Sequence, residues 1–245
     1  MPKDKEISII IPIRRNEDIS RVISSIKTQN IYNPEKHEII IVDENKERST
    51  QRNIGISKAS GKYIAIVDSD QLFEQGLLAD ILQKMDSGYD ALYVKERIIG
   101  TNWFDKVRNW ERQFYTGTAV DCVRIVKKNI CPIFNEQLTG PEDADFDRRI
   151  AGKKGVTDKF FLHDDSIGII KYFQKKAYYA KSMGLYRAFY PKDKVLNPFW
   201  RCFGVFFENK KWKLVIKNPI FFICVMGIIL IRGVIYAKTF CNNHN

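Results

Sequence analysis

Histidine is scarce in this 245-residue chain, with three copies, and its five cysteines (Cys122, Cys131, Cys202, Cys224, Cys241) never stand two residues apart. Structural zinc held by Cys-x-x-Cys pairs is thereby excluded. The odd number and wide scatter of the thiols also argue against a disulfide framework and for a reducing compartment. The N-terminal Met1-Pro2-Lys3-Asp4-Lys5-Glu6 lacks the apolar core of a secretory signal, so a cytoplasmic protein is expected. No glycine occurs before Gly55, which removes the Gly-rich phosphate loop that many nucleotide-binding sheets carry after their first strand. Internal repeats and low-complexity linkers are missing as well. With 44% hydrophobic and 13% aromatic residues, disordered, collagenous and coiled-coil classes fall away. A polytopic membrane protein is ruled out because a single apolar run, near the C-terminus, approaches spanning length. What is abundant is positive charge: 40 Lys and Arg against 29 Asp and Glu give a net +11, which calls for an anionic partner.

The first hundred residues alternate between two periods. Ile7–Ile13, Glu38–Val42, Gly61–Val67 and Ala91–Val94 are apolar, β-branched runs expected to form strands covered on both faces. Between them Glu17–Gln29, Ser49–Ala59 and Leu77–Met85 carry helical periodicity; Ile19, Val22, Ile23 and Ile26 form one stripe. This alternation predicts an α/β fold with a mostly parallel, Rossmann-like sheet flanked by helices, in which ligands bind beyond the carboxyl ends of the strands. Downstream, the spacing predicts a helix over 103–115, a strand over 120–126, a helix over 141–150, a strand over 159–162 and a longer helix over 166–183.

Acids stand where such a sheet would use them. Asp43 ends the second strand, and Val67-Asp68-Ser69-Asp70 follows the third. Two carboxylates on one turn can converge on a hard cation that in turn holds a diphosphate. On the 141–150 helix, Asp143 shares a face with Phe146 and Ile150, so it points toward the apolar side, although acids in a first turn also complement the helix dipole. His163 closes a short strand and reads either as a ligand for a divalent ion or as a loop residue ahead of a helix capped by Ser166. On that helix Lys171, Lys175 and Tyr178 share one face and Lys176 and Tyr179 the next; a solvated basic face and a grip on an acceptor's phosphate both fit.

In order and at near-usual spacing, Ile9-Ile10-Ile11-Pro12, Ile40-Ile41-Val42-Asp43, Arg52-Asn53-Ile54-Gly55, Ala59-Ser60-Gly61 and Val67-Asp68-Ser69-Asp70 resemble the nucleotide-binding half of a family 2 glycosyltransferase with a GT-A fold. Gly140–Arg149 resembles that family's Glu-Asp segment. Leu162-His163-Asp164-Asp165 followed by Lys175–Tyr179 resembles a C-terminal element of some members, among them enzymes acting on lipid-linked or polysaccharide acceptors. The loop Pro12–Glu17 is one residue longer than usual, and the loop after Asp43 is charged and short. The resemblance covers about residues 6–190. It implies that Pro12 and Glu17 border the nucleotide pocket, Asp43 binds the base, Arg52 lies near the diphosphate and Asp68 faces ribose or metal. It further implies that Asp70, with Asp68 and His163, holds Mn²⁺ or Mg²⁺, and that Asp143 (beside Glu142) is the catalytic base; beside such a site, the candidates to grip the acceptor are Lys175, Lys176, Tyr178 and Tyr179.

The expected organisation is therefore a GT-A domain over 1–190, its nucleotide half about 1–100 and its acceptor half about 101–190. A basic, aromatic and apolar membrane-association segment occupies 191–245. Within that segment Pro219–Ala237 is apolar except for Arg232, which leaves a spanning helix, an in-plane anchor and a self-associating helix all open. The implied activity is metal-dependent, inverting transfer from a nucleotide-diphosphate sugar, with a UDP-sugar favoured, to an acceptor hydroxyl or lipid phosphate at the cytoplasmic face of the cell membrane. A sugar nucleotidyltransferase is the enzymatic alternative, and a basic nucleic-acid-binding or membrane-binding module the alternative from another class. Lys and Arg are richest beside the apolar segment, which favours a membrane surface over nucleic acid.

Overall fold

The structure, a computed structural model, describes residues 5–163 and 166–242, so Asp164 and Asp165 lie outside the described residues. Strand β1 (Ile7–Pro12) is buried along its whole length, as its run of isoleucines predicts. It pairs in parallel with β2 (His37–Val42) on one side and β3 (Tyr63–Ile66) on the other, Ile9 standing level with Ile39 and Ala65. Helices α1 (Ser20–Lys27) and α2 (Arg48–Lys58) make the two crossovers. Helix α1 begins three residues later than its periodicity suggests. Asn16 turns to positive φ, and the Glu17 carboxylate folds back to accept from the Arg14 amide at 2.9 Å.

Beyond β3 the sheet is not mostly parallel. Short β4 (Gln71–Phe73) leads into α3 (Leu77–Asp86), followed by β5 (Ala91–Ile98), α4 (Trp103–Arg112), β6 (Ile125–Lys127), α5 (Glu142–Arg149) and β7 (Lys154–His163). Among the described residues the strand order is β2-β1-β3-β6-β5-β7-β4. Strand β6 runs antiparallel to both β3 and β5, and β4 antiparallel to β7. Physically, α4 and residues 113–124 stay on the carboxyl side of β5, so the chain re-enters the sheet from that side and needs no crossover. The expected strand over 120–126 shrinks for the same reason: residues 120–124 remain a loop, and the Val123 amide donates to Asp147 at 3.3 Å. The carboxyl ends of β1, β2, β3, β5 and β7, together with the start of β6, thus share one edge.

Alternate strand residues supply two cores on opposite faces of the sheet. Ile7, Ile9 and Ile11 pack with α1 and α3, and Ile10, Ile64, Ile66 and Val126 with Phe134 and Phe146. Gly61 lets β3 start against β1, since a Cβ there would sit 2.6 Å from the Ser8 amide nitrogen. Because the obstacle is backbone, Gly61→Ala should cost about 1–3 kcal/mol. Chemical denaturation would read this as a lowered midpoint at unchanged slope.

The helix expected over 166–183 breaks into α6 (Ile169–Ala180) and α7 (Met183–Phe189), and the Ser182 hydroxyl at the break accepts from the Thr139 amide at 2.9 Å. A short helical turn α8 (Val205–Phe207) and α9 (Trp212–Lys217) lead to α10 (Pro219–Asn242). Helix α10 packs on α4 and α6. Its Val225, Ile228 and Ile229 join Val107, Trp110, Phe114, Tyr172, Trp200 and Phe206 in a third core. Within that interface the Arg232 guanidinium pairs with Glu111, whose carboxylate also accepts from the Tyr115 hydroxyl.

Candidate active site

Every acid singled out after β3 lies at the shared edge. The Asp68–Asp70 turn is braced by Gln71, fully buried, whose side-chain oxygen accepts from the Asp68 amide at 2.9 Å. The Gln71 amide nitrogen donates to Glu96 on β5 at 3.1 Å. Ser69 donates to Glu17 at 2.8 Å, which ties the loop after β1 to the same turn. Pro12 closes β1 beside Val42. Asp43, at the end of β2, is exposed and stands at the rim of this edge.

The centre is Arg52, from α2, with no exposed surface. Its Nη2 donates to Asp68 Oδ1 and its Nη1 to Asp143 Oδ1, both at 2.6 Å, and the guanidinium stacks 4.9 Å from the Phe134 ring. Arg124, just before β6, places Nη2 3.6 Å from both Asp68 Oδ2 and Asp143 Oδ2. Burial alone would raise the carboxyl pKa of each acid, but Arg52 and Arg124 outweigh it. Asp68 is held well below the usual carboxylate range and Asp143 below it. Asp143 keeps 26% of its side chain exposed, so an incoming group can reach it.

Glu142 is nearly covered. Its carboxylate pairs with Arg48 and accepts from the Gly140 amide, which fixes the first turn of α5. Gly140 has φ +147°, and a Cβ on it would fall 2.7 Å from the Tyr179 carbonyl oxygen. That close approach brings α6 to the site: Arg48 lies 5.7 Å from the Tyr179 ring, and Tyr178 donates to Glu47 at 3.2 Å. Lys176 sits 5.3 Å from the Tyr172 ring and 5.5 Å from the Tyr179 ring. Burial and the nearby Arg232 and Arg112 push its ammonium pKa well down. Lys175 occupies the neighbouring face of α6, half-buried.

A second group stands beside the first. His163, at the end of β7, has Nε2 3.0 Å from Asp70 Oδ2 and Nδ1 3.7 Å from Glu96 Oε2. Burial opposes the imidazolium, but Asp70 and Glu96 overcome it and lift the histidine to about 9. Glu96 also pairs with Arg112 and, at 3.9 Å, with Arg124. Among the described residues no three His, Cys, Asp or Glu side chains converge as a metal cage. Asp70 Oδ1 is nonetheless buried without a hydrogen-bond partner. Asp70 therefore fits as an oxygen donor for a divalent ion, and His163 as a nitrogen donor once it gives up the proton that Asp70 and Glu96 stabilise, whereas both Asp68 oxygens face arginines.

The structure brings together Glu17, Arg52, Asp68, Asp70, Asp143 and His163, with Tyr178 and Tyr179 overhead. Arg124, Glu96, Arg112 and Arg48 were not anticipated. The available signal was charge inside apolar strand sequence, as in Cys122-Val123-Arg124-Ile125-Val126, since a charge buried in a strand must be paired.

Residues 43–135 match the sequence model of the family described as Glycosyl transferase family 2. Over that stretch the chain is similar to family 2 glycosyltransferases. Among curated relatives, the GalNAc(5)-diNAcBac-PP-undecaprenol beta-1,3-glucosyltransferase of Campylobacter jejuni is 20% identical, over 90% of this chain and 76% of its own length. An uncharacterized glycosyltransferase of Rickettsia bellii is 30% identical, over 29% of this chain and 14% of its own. Among solved structures, S. aureus TarS 1-349 superposes with TM-score 0.51 at 15% identity, covering 96% of this chain and 88% of that one. The same TarS fragment in complex with UDP-GlcNAc gives TM-score 0.51 at 18% identity, covering 93% and 81%. The mixed sheet and flanking helices are thus of the GT-A type seen in TarS.

Proposed function

We propose that this protein is a glycosyltransferase that moves a sugar from a UDP-sugar to the hydroxyl of a lipid-linked acceptor at a membrane surface. The observation that carries this reading is the Asp68–Arg52–Asp143 bridge, which sets the acid of α5 directly beside the turn after β3. The UDP-GlcNAc complex of TarS and the undecaprenol-linked substrate of the Campylobacter enzyme support the donor and the acceptor class.

In this reading Glu17 and the Asp68 turn hold the nucleoside, with Asp43 at the base end. Arg52 and Arg124 lie where the diphosphate's charge is delivered, and Arg48 with Tyr179 narrows the mouth. Asp70 and His163 would hold Mn²⁺ or Mg²⁺; such an ion supplies charge stabilisation for a departing diphosphate. Asp143 takes the proton of the acceptor hydroxyl as that oxygen bonds to the anomeric carbon and the carbon–diphosphate bond breaks, giving UDP and an inverted linkage. A base held below the ordinary carboxylate range suffices, because a sugar centre with oxocarbenium character can expel its leaving group before the acceptor proton is fully transferred. Lys175, Lys176 and Tyr178 face the side from which the acceptor enters.

Incubation with UDP-sugars and an undecaprenyl-type lipid acceptor should release UDP. Release of pyrophosphate from sugar-1-phosphate and UTP would instead mark a nucleotidyltransferase. For the ion, Asp70→Asn should lower Mn²⁺ affinity in the presence of UDP by about 10-fold or more. Electron paramagnetic resonance of free Mn²⁺ reads this without turnover, and unchanged binding would remove Asp70 from the ligand set.

A further inference from the structure

The C-terminal helix poses a geometric question that its composition leaves open. Pro219–Lys238 is long and apolar enough to cross a bilayer. Spanning needs about 20 residues, or about 30 Å, free of polar protein. Phe221 at one end lies 6.2 Å from the Trp110 ring, and Arg232, eleven residues on and so about 16 Å along the axis, pairs with Glu111 of the same helix. Val225, Ile228 and Ile229 between them are buried against the domain. A helix that crossed the bilayer in this arrangement would drag α4 into hydrocarbon, together with Asp105, Lys106, Arg108, Glu111 and Arg112.

The opposite face of α10 is bare. Ile220, Ile223, Leu230 and Val234 are 70%, 70%, 64% and 69% exposed and fall on one stripe, at steps of three, seven and four residues. Helix α9, which leads into it, exposes Trp212 and Ile216 next to Lys213 and Lys217. From residue 191 onward the chain holds nine Lys and Arg against Asp193 and Glu208, so seven of the net eleven positive charges sit in this segment. An apolar stripe with aromatic and basic flanks matches the boundary zone of an anionic bilayer, where apolar side chains enter and lysines meet phosphate.

We infer that α10 lies in the plane of an anionic lipid surface, clamped to the catalytic domain by Arg232–Glu111 on its inner face and immersed through its outer stripe. The inference deepens the membrane reading above. It does not depend on the transfer chemistry, because its test uses no substrate.

Nitroxide labels placed singly at Ile220, Ile223, Leu230 and Val234 of the full chain report depth in vesicles of 70% phosphatidylcholine and 30% phosphatidylglycerol. All four labels should sit at one shallow depth. The double variant Lys213→Glu, Lys217→Glu should weaken vesicle binding at least 10-fold while UDP binding persists. Binding to pure phosphatidylcholine should be much weaker, and raised salt should release the protein. A depth profile that passes through the bilayer centre between Ile220 and Val234 would overturn the inference in favour of a spanning helix. Labels that stay in water, or that broaden through contact with a second copy, would overturn it as well.

Discussion

Asp143→Asn should lower turnover by about 10²–10⁴-fold while UDP and UDP-sugar bind nearly as before. The substitution keeps the side chain's shape and its Oδ1, so Arg52 Nη1 retains an acceptor at the position now 2.6 Å away. What disappears is the capacity to take a proton. The neighbouring charges sharpen the expectation. Asn leaves Arg52 and Arg124 with one carboxylate fewer to satisfy, which makes the pocket more attractive to a diphosphate. The Kd for UDP should therefore stay constant or fall as kcat collapses. Rapid-mix kinetics with calorimetric UDP titration separate the two quantities. A variant with near-normal turnover would show that Asp143 is not the base.

Arg52→Met should destabilise the fold by about 3–5 kcal/mol, more than any surface change in the chain. The guanidinium is fully buried and makes 2.6 Å hydrogen bonds to two acids. Its loss leaves Asp68 and Asp143 side by side, with Arg124 at 3.6 Å from each. The penalty carries a pH signature. In the wild type the folded pKa values of both acids lie below their unfolded values. Their pairing therefore contributes stability above the unfolded carboxylate range, and that contribution is lost as pH falls through the folded values. Without Arg52 its share of the lowering, the largest single one, is gone, and only Arg124 and Arg48 still oppose burial. The gap between wild type and variant is then widest near neutral pH and narrows in acid, once both carboxyls accept protons. Urea unfolding at pH 7 and again below the ordinary carboxylate range tests the sign. Equal midpoints for the two proteins at pH 7 would mean that the bridge carries no net stability.

The parallel half of the sheet was legible because a strand covered on both faces writes itself as continuous isoleucine and valine, and the acids at the ends of β2 and β3 stand out against it. Strand β4 was not legible, since three residues carry no period. The strand at β6 was expected, but its antiparallel direction was not, because that direction depends on how residues 99–124 route around the sheet edge, a tertiary fact. The site divides the same way. Asp68, Asp70 and Asp143 announced themselves by clustering in sequence. Arg52 was visible only through resemblance, and its partner Asp143 stands 91 residues away. Arg124, Glu96 and Arg112 assemble from three separate elements, and nothing in their local sequence says which carboxylate each will meet. Helix α10 shows the limit from the other side: its composition is that of a spanning segment, and only the placement of Arg232 against Glu111 gives the helix an inside and an outside.

That buried pair also bears on how the protein can be prepared. A chain trimmed before Pro219 to remove its greasiest stretch would strip the lid from Trp110, Phe206 and Tyr172 and strand the Glu111 carboxylate without its cation. The product would be stickier than the parent. Solubility is better sought by recolouring the bare stripe, exchanging Ile220, Ile223, Leu230 and Val234 for polar residues. The inner seam then stays zipped, and a crystallisable enzyme keeps its native floor.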